Sequence, residues 1–197
     1  EFTNDAWQAH DTYFGDGEPA PKRKLAANRS WFEFIPAVLT RARAFNGIAS
    51  AAHDFRNARV DDAPLGEHDG NWLYQSDSLK AVSSLTIYRT LRWGTMLDLV
   101  LTDLRSYRSP PVITEDVKAL IKGAPVPPVR IVQTLDAGRL ANDGSPPETL
   151  EYAGREIENP RKDAPPGTQL GAAQKSWFKQ VMKASTARWR VWVNGGP

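Results

Sequence analysis

No cysteine occurs among the 197 residues, and there are only three histidines, His10, His53 and His68. Without cysteine the chain has no disulfides, no thiolate metal ligands and no thiol nucleophile, and its redox compartment is left open. The three histidines are widely separated and form neither an HxH nor an HExxH spacing, so a histidine-built metal site within these residues is not expected. An excess of one charge is lacking too. The 25 Lys and Arg against 23 Asp and Glu leave a formal charge of +2, far from the basic surplus that holds a phosphate backbone, so no nucleic-acid surface is expected. No apolar run approaches the ~18 to 20 residues that cross a bilayer, which argues against a transmembrane segment. What the chain does have is 41% hydrophobic residues, including seven Trp, seven Phe and five Tyr. That is enough apolar surface to offset the entropy of ordering, and the length suits one domain or part of one. Its 15 Pro and 14 Gly fall in clusters that require long connections.

Periodicity places the regular elements. From Lys22 to Phe34 the residues Leu25, Ala26, Trp31, Phe32 and Phe34 share one broad face, with Lys22, Arg23, Lys24, Asn28 and Arg29 opposite, so an amphipathic helix ending at Pro36 is expected. The stretch 37–78 is Ala- and Arg-rich and reads as loop or insertion. Leu85 to Trp93 alternates as a half-buried strand, and Met96 to Leu104 is an almost continuous apolar run of the kind that forms a central strand, the two joined as a hairpin around Trp93 to Thr95. Thr114 as N-cap and Gly123 as C-terminal glycine bracket a short helix. From 124 to 167 Pro, Gly and Asp dominate, and apart from a possible strand at Val129 to Leu135 a long irregular excursion is expected, either a cleft wall or a flap. An amphipathic helix over Ala172 to Ala184 and a strand over Ala187 to Val193 complete an α/β order, with Trp31, Trp177 and Trp189 read as core.

Few residues invite chemistry. Asp103, Arg105 and Arg108 follow the most buried strand, where α/β folds place binding groups, and a guanidinium fork suits a phosphate oxyanion. The same Asp-x-Arg also fits a structural ion pair. Asn4 and Asp5 beside Trp7 could offer oxygen ligands to a hard cation or hold a phosphate, but on spacing alone they read as ordinary loop residues, and Asp61-Asp62 and His68-Asp69, which resemble ligand fragments, read as solvated loop. Spacing alone stops at an α/β domain with a cleft-forming loop.

Four stretches carry a resemblance. Glu1-Phe2-Thr3-Asn4-Asp5-Ala6-Trp7 resembles the tail of WDDHEF-x-ND-x-W, and Lys24 to Pro36, KLAANRSWFEFIP, resembles a helix of the form A-x-x-x-W-F-E-Y-x-P. Tyr88 to Gly94 and Leu97 to Arg108 are similar to YR-x-x-x-x-G followed by LDLxxLDxRxYR, and Leu170 to Phe178 to LG-x-x-Q-x-x-W-F. Together, in this order, they resemble the alkaline phosphatase D (PhoD-like) metallophosphoesterase family, over residues 1 to about 194. The resemblance implies a two-sheet α/β sandwich flanked by helices, incomplete here because 1–197 would be the middle segment of one such domain. It further implies hydrolysis of phosphate mono- or diesters, a metal cluster of iron and calcium, and a periplasmic or secreted location. By the same resemblance the catalytic groups and the main metal-binding motifs would lie upstream of Glu1 and downstream of Pro197. No catalytic residue or metal ligand is therefore assigned within the 197 residues, and the chain alone is expected to be inactive. Asn4, Asp103, Arg105 and Arg108 would lie beside the cluster or contact the phosphate. A noncatalytic binding module on the same fold is the alternative.

Overall fold

The run LDLVL forms a strand whose alternate residues Asp98 and Val100 are buried on one face, while its leucines are half-buried on the other. The computed structural model describes residues 10–11, 18–35, 44–45, 48–49, 55–62, 76–109 and 111–194, and it is a mixed α/β structure. Its elements begin with the two-residue strands β1 (His10–Asp11) and β2 (Glu18–Pro19), which pair with each other, and helix α1 (Pro21–Phe34). The similarly short pair β3 (Ala44–Phe45) and β4 (Ile48–Ala49) follows, then helix α2 (Ser76–Ser83) and strands β5 (Arg89–Trp93) and β6 (Leu97–Leu101). Most of the expected insertion 37–78 lies outside the described residues. Among the described residues no helix is long and apolar enough to cross a membrane.

The chain divides into two compact units. In the first, β5 and β6 pair antiparallel from Arg89↔Leu101 to Trp93↔Leu97. The connection is three residues long and opens on Gly94, whose positive φ of 56° a side chain would disfavour. Both strands are shorter than expected, since only these five-residue stretches are paired. Helix α6 (Gly171–Ala184), named in chain order after the elements of the second unit, leads to β9 (Trp189–Val193), which adds to β6 in parallel from Leu97↔Trp189 to Leu101↔Val193. β6 is therefore the central strand. One face of this sheet is closed by α6, through a cluster of Val100, Trp177 and Val181 with Tyr88, Phe178 and Met182 around it. The alternate positions put Leu91, Trp93, Leu97, Leu99, Leu101, Trp189, Val191 and Val193 on the other face, together with the buried Arg89 at the end where β6 stops. Away from Arg89 that face is apolar, and it is open where β6 begins: Trp93 is 79% and Trp189 62% exposed. The expectation that Trp189 is core is thus corrected, whereas Trp177 is buried and Trp31 half-buried.

Helix α1 corrects a second expectation. Its residues are helical as foreseen, with Pro21 at the first helical position and Ile35 as C-cap, but the stripe it buries is Pro21, Lys24 and Asn28. The aromatic side that looked like the core face leaves Phe34 exposed. Asn28 explains the orientation, since its Nδ2 donates to the Ala81 carbonyl (3.0 Å) and to Ser84 Oγ (2.9 Å). Polar partners at the end of α2 hold a polar stripe where an apolar one was expected.

The second unit, over residues 109–167, is more regular than its composition suggests. Helix α3 (Glu115–Leu120) starts where Thr114 Oγ1 accepts from the Val117 N–H. Val129–Ala137 is not a strand but helix α4. Pro128 precedes it as N-cap, and Ile131 and Leu135, four apart, bury one side into the core with Val117, Leu120, Ile121 and Leu150. A 3-10 turn (Gly138–Leu140) and the short turn α5 (Ala141–Gly144), in which Asn142 and Asp143 take left-handed angles, lead to a hairpin of β7 (Thr149–Tyr152) and β8 (Arg155–Glu158). Its connection is Ala153-Gly154, both with positive φ as the primed hairpin turns require.

Candidate functional site

Beyond the last paired residue of β6 the chain turns, and the turn is held at four points. Gln174, in the first turns of α6 and only 1% exposed, clamps the main chain of Asp103: its Oε1 accepts from the Asp103 N–H (2.7 Å) and its Nε2 donates to the Asp103 carbonyl (2.8 Å). One amide thus continues the ladder that the strands no longer supply. The Asp103 carboxylate accepts from the N–H groups of Arg105 and Ser106, both at 2.9 Å, an Asx-type turn that keeps its charge beside its own backbone. From α1, Lys24 Nζ donates to Ser106 Oγ at 2.9 Å. The Arg108 N–H closes the turn on the Arg105 carbonyl at 3.4 Å.

Aromatic rings wall the turn. Tyr107 meets Tyr88 edge-on at 5.6 Å, and Tyr88 leans on Trp177 at 4.8 Å. Gly171 opens α6 directly against Tyr107: a Cβ at Gly171 would stand 2.9 Å from Tyr107 Cβ, and φ there is +69°. Antiparallel pairing brings Arg89, opposite Leu101, to the same end of the sheet. Its guanidinium lies over the Trp31 ring at 5.4 Å and donates through Nη1 to the Ile87 carbonyl at 2.9 Å.

Burial governs the electrostatics. Lys24 is held below the ordinary lysine range by desolvation, which Asp103 partly offsets. Burial lowers Arg89 as well. The phenols of Tyr88 and Tyr107 are pushed up, first by burial and then by the Asp103 charge, so both stay neutral donors. The result is a pinned turn that carries two half-buried guanidinium groups, Arg105 and Arg108, with Lys24 and Arg89 buried at the same sheet end. Lys24 and Arg89 are already engaged, to Ser106 and to Ile87 and Trp31, and the guanidinium fork of Arg105 and Arg108 is of the kind that suits a tetrahedral oxyanion.

Of the residues singled out by sequence, Asp103, Arg105 and Arg108 thus come together in one turn, while Asn4, with Asp5 and Trp7, lies outside the described residues, as does His68-Asp69. Glu1 and Pro197, beyond which the catalytic groups and metal ligands are expected, are outside the described residues too, and no catalytic residue is assigned between them. Asp61 and Asp62 are exposed and tie to the start of α1, Asp61 to Lys22 Nζ (3.2 Å) and Asp62 to the Lys22 N–H (2.9 Å). Lys24, placed by its helical position on the solvent side, is instead only 6% exposed. Gln174 was readable: it stands three, four and seven residues before Trp177, Phe178 and Val181, a polar residue on an apolar stripe. Among the described residues no group of three or more His, Asp or Glu is placed to hold a metal ion.

The family model of the PhoD-like phosphatases matches residues 1–197. No curated protein and no solved structure matches the chain.

Proposed function

Because the chain belongs to the PhoD-like phosphatase family, we propose that it supplies the phosphate-holding part of a metal-dependent phosphoric ester hydrolase, an alkaline phosphatase or phosphodiesterase of that type. The observation that carries this reading is the pinned turn at the end of β6. Arg105 and Arg108 hold the phosphoryl oxygens of a small-molecule ester, and Asp103 shapes the turn that presents them. Asn4 joins them through its place in the matching N-terminal motif.

The open apolar face of the β5–β6–β9 sheet supports the sandwich architecture. Eight apolar side chains on one sheet face suit a second sheet packed about 10 Å away. The iron and calcium that the family resemblance implies find no ligand set among the described residues, so the roles assigned to this chain rest on its own side chains. Export to the periplasm or beyond follows the same resemblance.

The test uses the full-length protein with p-nitrophenyl phosphate and bis-p-nitrophenyl phosphate. Arg105→Ala and Arg108→Ala are each expected to weaken competitive inhibition by inorganic phosphate roughly tenfold or more, the worth of a charge-assisted hydrogen bond. Unchanged inhibition in both variants would sink the assignment. Phosphate binding without hydrolysis of either ester points instead to a binding module.

A further inference from the structure

A buried lysine needs a reason. Taking an ammonium out of water costs several kcal/mol, and an apolar side chain of similar length fills the same space at less cost. Lys24 is 6% exposed on α1 and donates to Ser106 Oγ at 2.9 Å, 82 residues away in sequence. Ser106 lies between Arg105 and Arg108, and its own N–H is held by the Asp103 carboxylate. The ammonium therefore reaches the middle of the turn, at a hydroxyl that both candidate phosphate ligands flank in sequence. The charge of Asp103 favours the protonated lysine against the effect of burial.

We propose that Lys24 is a positioning residue for phosphate recognition, fixing the Arg105–Arg108 turn through Ser106 so that both guanidinium groups meet one phosphoryl group. The inference rests on the functional reading above and adds a residue on a different element. The Gln174 clamp anchors the turn to the sheet at Asp103, and the lysine adds a hold at Ser106, between the two arginines. A guanidinium that must find its geometry after binding loses affinity to that ordering, so preorganisation is where a costly buried cation returns a benefit.

The experiment compares Lys24→Met, Lys24→Arg and Ser106→Ala in the full-length protein. Three quantities are read: thermal midpoint, inorganic phosphate affinity by calorimetry, and amide hydrogen exchange over residues 103–108. Lys24→Met is expected to weaken phosphate binding about fivefold to tenfold, with faster exchange confined to 103–108. Ser106→Ala should follow it in the same direction, and Lys24→Arg should recover part of the affinity. Phosphate affinity equal to wild type in Lys24→Met, with or without a lower midpoint, overturns the inference while leaving the function standing. A wild-type protein that neither binds phosphate nor cleaves either ester overturns both. Should Lys24→Met fail to fold, Ser106→Ala decides alone, and wild-type affinity and exchange in that variant overturn the proposal.

Discussion

The two ends of the β5–β6–β9 sheet handle charge in opposite ways. At the end where β6 begins, Asp98 is fully buried and completely engaged. Arg92 donates to it through Nε (2.7 Å) and Nη2 (2.6 Å), and Ser185 Oγ donates to the same carboxylate. Arg92 also reaches Thr186 Oγ1 at 3.4 Å. This is a matched fork, and it joins β5, β6 and the residues that follow α6. At the end where β6 stops, the carboxylate of Asp103 faces backbone N–H groups instead, and the turn 102–108 contains that one acid against Arg105 and Arg108. A matched pair locks a sheet. At the other end Gln174, the Asp103 carboxylate and Lys24 hold a turn, and Arg105 and Arg108 on it are the groups proposed to meet a ligand that brings negative charge.

The largest effect should come from breaking the matched end. Asp98→Ala removes the acceptor shared by the partly exposed Arg92 and by Ser185, and losing these charge-assisted hydrogen bonds should cost about 3 kcal/mol, a fall of roughly 6 to 12 °C in thermal midpoint for a chain of this size. Phosphate affinity should be unaffected, because that end is structural. An Asp98→Ala variant that loses phosphate binding while staying folded would erase the distinction between the ends. The same carboxylate has a pH signature. The hydrogen bond from Arg92 holds it below the ordinary carboxylate range. A lowered folded pKa contributes stability that is present above the unfolded value and disappears as pH falls through the folded one. Acid titration of the midpoint should therefore show a loss below about pH 4 that Asp98→Asn lacks.

Next in size is Gly171→Ala, which strikes the seam between α6 and the turn. The new methyl would sit 2.9 Å from Tyr107 Cβ on a residue with φ of +69°, a combined strain of about 1 to 3 kcal/mol. Because Tyr107 stands between Ser106 and Arg108, both stability and phosphate affinity should fall, unlike the Asp98 case. A drop in midpoint with unchanged affinity would show that the arginines do not depend on how α6 packs.

How much of this was legible follows from which residues act locally. Gly94, Thr114 and the LDLVL run work through their own backbone and nearest neighbours, and they stand where their patterns put them. Val129 to Leu135 was misread because its apolar positions at 129, 131, 132 and 135 partly alternate, and the i, i+4 pair Ile131 and Leu135 that decides for helix depends on a core assembled from α3 and β7. Lys24 and Asn28 were assigned to the wrong side of α1 for a similar reason: hydropathy cannot anticipate that the partners waiting for that helix are a hydroxyl and a carbonyl. Asp103, Arg105 and Arg108 could be picked out because a strand end is visible in sequence, whereas the Gln174 clamp spans 71 residues and emerges only when α6 is laid beside β6.

The smallest effect tests the sheet's open face rather than its ends. Trp189 is 62% exposed on edge strand β9 and shares a cross-strand row with Leu97 and Trp93. In the 197-residue chain, Trp189→Ser removes little buried area, and the stability should move by no more than about 0.5 kcal/mol, as for surface substitutions generally. On the proposed sandwich, a longer protein lays a second sheet on this face and buries the indole, and there the same substitution should cost about 2 to 3 kcal/mol, the scale of a large side chain removed from a core. The difference between the two measurements reports whether the face is covered. Equal and small costs in both would mean that the apolar row meets solvent in the whole protein, and the sandwich reading would lose its structural support while the phosphate turn at the sheet's end kept its own.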